Sequence, residues 1–338
     1  MSNNNQIERL LQELTEEYFS LSIDQQIDHT KFYLYSLITH STAIEGSTVT
    51  ELENQLLFDE GITAKGKPLI EQMMNLDLKQ AYEWGMEQMA SHPPITVALL
   101  KQLSAQVMTH TGSEYSAMAG FFSAAKGDLR LLNVSAGLGG SSYMNYQKVP
   151  QSLEKFCIEL NKRRSLIGKE DIVAIYELSF WAHYELVTIH PWADGNGRTS
   201  RLLMNLLQME YGVIPMKVFK EEKAEYIQSL EDSRDNNSPH AFIETMMALH
   251  TKHLADEIKR FTATMSEKNV RKELTDRQRD IIRIICSDAQ ATIAQMSEKT
   301  GVNEKTVRRD LQDLQQCGVL MRIGGRKMGK WQLNLQLI

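Results

Sequence analysis

The chain has 338 residues, of which 42% are hydrophobic and 24% charged, with a formal net charge of −6. That length suits one large and one small domain with a real core, and the composition excludes fibrous and intrinsically disordered classes. No apolar run approaches the ~18 residues that span a bilayer, and the N-terminus lacks a basic flank with an apolar stretch, so a cytoplasmic protein without a membrane partner is expected.

In chain order, helical periodicity dominates from Gln6 to about His250, as in PLIEQMMNLDLKQAYEWGMEQM. The exception lies between Gly127 and Val149, where alternation and Gly137, Gly139 and Gly140 predict a short hairpin with a flexible tip. A helical stretch over 239–266 then gives way to EKNVRKE, where apolar spacing lapses and a domain boundary is expected. Beyond it the charge balance changes sign. Residues 271–338 hold 13 Lys/Arg against 8 Asp/Glu, a net +5, while the rest of the chain carries −11. A basic module on an acidic body suggests one part that faces nucleic acid and one that does not. Cys157, Cys286 and Cys317 stand far apart without a CxxC pair, which argues against zinc or disulfides and predicts reduced core residues.

The chemistry concentrates in DIVAIYELSFWAHYELVTIHPWADGNGRTSRLLMNLLQMEYG, which reads as helix, tight loop, helix. Ile172, Ile175, Leu178, Phe180 and Leu186 mark an apolar face, and Pro191 turns His190 away from helical dihedrals, so the first helix ends near Ile189. The second begins at about Gly197 and buries Leu202, Leu203, Leu206 and Leu207. Between them, Gly195 and Gly197 permit positive φ and leave amide groups uncovered, a site for phosphate oxygens at a helix N-terminus. Arg198 and Arg201 reach the same anion from one helix face; their charge opposes the helix dipole, which makes sense if a polyphosphate compensates it. Asp194 is a hard oxygen ligand suited to Mg²⁺ on phosphates, and His190 is able to take a proton near neutral pH. A plain DGNG turn between two helices is the competing reading, but a His, an Asp, two glycines and two arginines in twelve residues is far more specific.

This loop, HPWADGNGRTSR, resembles the signature of the Fic domain, with Trp192 where Phe is usual. The resemblance implies a mainly α fold: a Fic-type helical core with a short β-hairpin flap, plus a small C-terminal domain. It implies a protein adenylyltransferase that moves AMP from ATP to a Ser, Thr or Tyr hydroxyl of a target protein, with ATP and Mg²⁺ as cofactors. His190 becomes the general base and Asp194 the metal ligand. Asn196 and the amides of Gly195 and Gly197 hold the α- and β-phosphates, Arg198 the β- and Arg201 the γ-phosphate, with Tyr226 and Asn236 near adenine and ribose. Upstream, Ser41-Thr42-Ala43-Ile44-Glu45-Gly46 resembles the motif of the subclass that inhibits itself; Glu45 then pairs with Arg201 in place of the γ-phosphate. The flap of that family falls at Leu129–Tyr146 here, where plain scaffold is an equal reading. Gly120-Phe121-Phe122-Ser123 carries Ser where the family often has Arg.

The C-terminal module opens with a capping box, Thr275 to Gln278, ahead of Ile281, Ile282, Ile284 and Ile285. A helix over ATIAQMSEKTG, a third helix capped by Asn303 and closed by Gly318, and an alternating wing follow. The order resembles a winged helix-turn-helix. Lys305, Thr306, Arg308 and Arg309 face outward among Val307, Leu311 and Leu314, with Arg326, Lys327 and Lys330 on the wing for DNA phosphates. Docking of protein is the alternative use.

The expected domains are therefore 1–92, an N-terminal helical region with the inhibitory helix; 93–266, the Fic core; and 267–338, the winged helix. Two other functions stay open: an ATP-sensing DNA-binding regulator without transferase activity, and a deAMPylase, since the same glutamate assists AMP removal in some relatives. A phosphotransferase is disfavoured because kinase-like variants replace the second glycine by Lys, and Gly197 stands here. Oligomeric state is open, a homodimer included.

Overall fold

The structure, a computed structural model, describes residues 3–135, 142–270, 275–316, 319–323 and 330–333. The chain divides into two units, Met1–Ile258 and Lys259–Ile338. In the first unit, α1 (Asn3–Ser20), α2 (His29–Ile44), α3 (Glu51–Glu60), α4 (Leu69–Met89) and α5 (Val97–Val107) follow the polar-apolar spacing of the sequence. Side-chain caps set two of their starts: Thr50 forms a capping box with Glu53 at α3, and Thr96 accepts the Leu99 N–H at α5. A two-stranded antiparallel hairpin comes next, β1 (Glu114–Ala117) against β2 (Gly120–Ser123). Then come α6 (Val149–Arg164), α7 (Ile172–Ile189), α8 (Asn196–Tyr211), α9 (Lys223–Asp235) and α10 (His240–Val270), which runs past Ile258 into the second unit.

α7 is apolar on nearly every side, and accordingly it is the buried axis of the unit. Ile175, Tyr176, Leu178, Phe180, Trp181, Ala182 and Leu186 are all covered, so the helix has no solvated face to speak of over its middle turns. α8 runs beside it and buries Leu202, Leu203, Leu206 and Leu207, as their spacing requires. α4, α5 and α6 close the same core through Leu78, Leu100, Leu103, Leu153 and Leu160. Trp192, from the bend between α7 and α8, is fully buried in it. Each such side chain contributes about 1.5–3 kcal/mol, so the bend is anchored to the most tightly held part of the fold.

Among its described residues the alternating stretch 127–149 holds an isolated antiparallel bridge, Ser135 to Ser142, with the Tyr143 N–H on the Val134 carbonyl at 3.0 Å; the glycine tip of the expected hairpin, with Gly137, Gly139 and Gly140, lies outside the described residues. A hairpin that was not expected is β1–β2, where stacked Tyr115 and Phe122 form a cross-strand pair at 5.0 Å. The sequence hid it because a short strand pair without a Gly-Asn type turn gives little periodic signal.

In the second unit, α11 (Asp276–Ser287), α12 (Ile293–Thr300) and α13 (Glu304–Gln316) are followed by an antiparallel pair, β3 (Leu320–Ile323) and β4 (Lys330–Leu333). The Thr275–Gln278 capping box is present, Thr292 makes a second with Gln295, and the Asn303 side chain accepts the Thr306 N–H. Ile281, Ile285, Met296, Val307, Leu311, Leu314 and Trp331 make the core. Lys305, Arg308 and Arg309 are exposed on α13, Thr306 half-buried, and Lys330 is exposed on β4; Gly318, Arg326 and Lys327 lie outside the described residues. Cys157 is buried, but Cys286 is exposed on α11, against the expectation of a core residue.

Candidate active site

α7 stops at Ile189 because His190 takes left-handed dihedrals, φ 52° and ψ 63°. For a non-glycine residue this conformation costs of order 1 kcal/mol, and several contacts hold it. Nδ1 of His190 lies 3.3 Å from the Val187 carbonyl, and the ring stacks on Tyr143 with centroids 3.7 Å apart. The His190 carbonyl accepts Arg130 Nε at 2.7 Å, and the Pro191 carbonyl accepts the Arg130 N–H at 3.0 Å. Burial above all, with the Arg130 and Arg234 charges, brings the His190 imidazole down to about 4 against the Val187 carbonyl and Glu45, which work the other way. The ring is therefore neutral at pH 7. With Nδ1–H directed at Val187, Nε2 keeps its lone pair.

The rest of the bend is cross-linked. Asn196 Oδ1 accepts the Trp192 N–H at 3.1 Å and Nδ2 donates to the Trp192 carbonyl at 2.9 Å. Both ends of that amide are engaged, so of Asn196 the backbone N–H, rather than the side chain, is open to a ligand. Gly195, at φ 79°, leaves no room for a side chain: a Cβ there would stand 2.6 Å from Met108 Sδ. The first N–H groups of α8 have no intrahelical acceptors; Asn196, which carries the first of them, is buried and Gly197 half-buried. Asp194 is exposed beside them; its Oδ1 accepts the Gly195 N–H at 2.6 Å and lies 3.7 Å from Arg198 Nη2.

Arg198 is buried, yet its Nε and Nη1 have no partner among the described residues, while Nη2 touches Met108 Sδ at 3.1 Å and pairs loosely with Asp194 at 3.7 Å. A buried guanidinium with orphaned donors costs several kcal/mol unless an anion completes it. Arg201, buried a turn further on, is fully engaged. Nη2 meets Glu45 Oε1 at 2.5 Å and the Ser41 carbonyl at 3.0 Å, Nε donates to Ser41 Oγ at 2.9 Å, and Nη1 reaches the Tyr226 hydroxyl at 3.4 Å. The Tyr226 hydroxyl in turn lies 2.9 Å from Nε2 of buried His183. Burial works against the Glu45 charge, but Arg201, with Arg198 and Lys223, outweighs it and holds the carboxyl below its ordinary range. Glu45 also lies over the start of α8: a Cβ on Gly197 would come within 2.7 Å of its Oε1.

Glu45 is held there from behind. It is the residue that ends α2, whose last carbonyls are tied down by Lys223 Nζ on Ile44 O at 2.7 Å. Below, Thr42, Asn54, Asn75 and Ser47 form a buried network centred on Asn75, which reaches Thr42 at 2.8 Å and Asn54 at 2.9 Å.

The fold thus gathers His190, Asp194, Gly195, Asn196, Gly197, Arg198, Arg201 and Glu45 around one helix terminus. Tyr226 is fully buried on Arg201 rather than open to a ligand. Asn236 is exposed at the end of α9, with Nδ2 bonded to the Asp232 carbonyl of its own helix at 2.9 Å. Sequence reasoning missed Arg130, Ser41's role on Arg201, His183 and Met108. Arg130 had a signal: the arginine absent from Gly120-Phe121-Phe122-Ser123 stands in Gly127-Asp128-Leu129-Arg130, at the same distance from a glycine. The others had none, because their partners lie far away in the chain.

Residues 94–208 match the Fic/DOC family and residues 277–328 the DeoR-like helix-turn-helix domain. The chain carries a Fic domain followed by a helix-turn-helix domain. The protein adenylyltransferase Fic of Drosophila erecta is 29% identical over 204 residues, covering 57% of this chain and 36% of that protein; the Drosophila melanogaster protein of the same name is 29% identical over 203 residues. The chain thus matches little more than a third of the length of these relatives. A Fic family protein from Desulfovibrio desulfuricans shares the fold with a TM-score of 0.64 at 18% identity, covering 99% of this chain and 97% of that chain. Fic-1 from C. elegans does so at 0.58 and 22%, over 76% of this chain and 71% of that chain. No described helix is long and apolar enough to cross a membrane.

Proposed function

We propose that this chain transfers AMP from ATP to a hydroxyl group of a target protein and that Glu45 restrains it. The observation that carries this reading is the pair of arginines at the start of α8: Arg198 buried with open donors, Arg201 closed by a carboxylate from another helix. The amides at the start of α8 and Arg198 bind the phosphate chain; Arg201 takes its outer end once Glu45 withdraws. Nε2 of His190 accepts the acceptor hydroxyl's proton as its oxygen bonds to the α-phosphorus, and the bond to the β-phosphate oxygen breaks to release pyrophosphate. Asp194, exposed with one oxygen uncommitted, fits a Mg²⁺ ion, which when bound neutralises charge on the phosphates. Glu45 fills the space over Gly197 and clasps Arg201, so a triphosphate that enters is refused its outer contact and the in-line geometry with it.

The test is incubation of the Glu45→Gly chain with labelled ATP and Mg²⁺, followed by mass spectrometry, with His190→Ala as control. Addition of one AMP to protein, faster than with Glu45 present and abolished with His190→Ala, is expected; no added mass in any form overturns the reading.

We further propose that the second unit docks on double-stranded DNA through α13, where exposed Lys305, Arg308 and Arg309 alternate with the buried Val307 and Leu311. With ATP and DNA as partners, the cytoplasm is the compartment this reading calls for.

A further inference from the structure

Arg130 is 1% exposed, and among the described residues no carboxylate pairs with it. A buried cation of this kind is held only if its donors are met, and here three backbone carbonyls meet them. Nε donates to His190 O at 2.7 Å, Nη1 to Leu132 O at 2.8 Å, and Nη2 to Met144 O. Its own N–H donates to Pro191 O at 3.0 Å. Leu132 and Met144 lie on the outgoing and returning arms of the segment bridged at Ser135 and Ser142. One side chain therefore joins both arms to the carbonyl of the residue whose imidazole faces the bend. Tyr143, next to Met144, stacks on that imidazole at 3.7 Å, so the position of the arm and the environment of His190 are set together.

We infer that Arg130 is a positioning residue that fixes the two arms at Leu132 and Met144 against the His190 loop, so that an acceptor lying along these arms meets the base in one register. The inference rests on the adenylyltransferase reading for its acceptor, but the coupling itself does not need catalysis to be seen. A guanidinium fork is required because the three carbonyls lie in different directions; a lysine ammonium in its place keeps the charge but cannot meet all three at once.

The experiment is an NMR titration of His190 in the full chain, its signal assigned by its disappearance in His190→Ala, compared with Arg130→Lys, Tyr143→Ala and the double variant. The other charged groups acting on the imidazole, Arg234 and Glu45, are unchanged throughout. With Arg130→Lys the arm lifts, Tyr143 leaves the ring, and the midpoint rises by at least one pH unit towards the ordinary histidine value of about 6.5. The double variant is expected to match Tyr143→Ala alone, because Arg130 acts through the arm. In the Glu45→Gly background, Arg130→Lys should cut AMP incorporation into protein at least tenfold while binding of a fluorescent ATP analogue stays within about twofold. An unchanged midpoint in Arg130→Lys, additive effects in the double variant, or a loss of nucleotide binding parallel to a loss of folded protein would each overturn the inference. Failure of the adenylyltransferase reading would show separately, as no incorporation by Glu45→Gly with Arg130 intact.

Discussion

At the scale of single residues, His190 illustrates how burial tunes a base. An imidazole of ordinary pKa, about 6.5, is only ~25% deprotonated at pH 6. In this site burial brings the value to about 4, so the ring stays neutral and able to accept a proton throughout the physiological range. The sign follows directly: the working form is the deprotonated one, it is present above the lowered value, and it is lost only as pH falls through it. AMP incorporation by the Glu45→Gly chain is therefore expected to be flat from pH 8 down to pH 6 and to decline below about pH 5. A rate profile that halves near pH 6.5 would contradict the buried geometry. Tyr226 makes a related point. Its hydroxyl accepts from Arg201 and lies on His183, so its role is to hold the arginine, and a ligand meets it only through that arginine.

Among the elements, α2 matters most for control, because it carries Glu45 at its end. The helix end is fixed by Asn75 from α4, which is completely buried and serves Thr42, Asn54 and Ser47 at once. Replacing Asn75 by Ala takes one hydrogen bond from each of them in a dry environment, at about 0.5–1.5 kcal/mol per bond, while Thr42 keeps the Ile38 and Thr39 carbonyls, Asn54 the Thr39 hydroxyl and Ser47 the Val49 N–H. Asn75→Ala is expected to lower the unfolding free energy by about 2–4 kcal/mol and to raise incorporation in a chain that still has Glu45, because the carboxylate is held less firmly. Denaturant unfolding and labelled-ATP incorporation measure the two effects. A stable Asn75→Ala chain as silent as the parent would show that the network does not govern Glu45.

On the scale of the whole molecule, charge is divided along the chain, −11 up to residue 270 and +5 from Arg271 onward. α13 exposes Lys305, Arg308 and Arg309, of which Arg308 is paired with exposed Glu304 at 3.0 Å, while Asp310 on the same helix is turned inward to a bidentate pair with Arg277. Asp310 therefore does not offset the outward charge. Binding of the full chain to duplex DNA is expected to weaken steeply with salt, and Lys305→Ala or Arg309→Ala to reduce the slope of log K against log salt by about one for each phosphate no longer neutralised. Filter binding or anisotropy across a salt series measures it; affinity that is indifferent to salt and to both substitutions would favour a protein-docking role.

Much of this was determined by the sequence. The α7–bend–α8 unit is local: Pro191 forbids helical continuation, Gly195 opens the bend with its positive φ while Gly197 is already helical, and the leucine spacing of α8 names its buried face within a few residues. The winged-helix order was legible for the same reason, since caps and turns act over three or four residues. Only the tertiary structure decided that Asn196 cross-links Trp192, that Arg198 is left with open donors while Arg201 is closed, that Tyr226 supports Arg201, and that Arg130 binds two arms of a loop to the His190 carbonyl. Each of those facts depends on how burial and direction divide a side chain's few hydrogen bonds among partners distant in the chain. Local pattern says which donors and acceptors a residue has, while packing settles where they point.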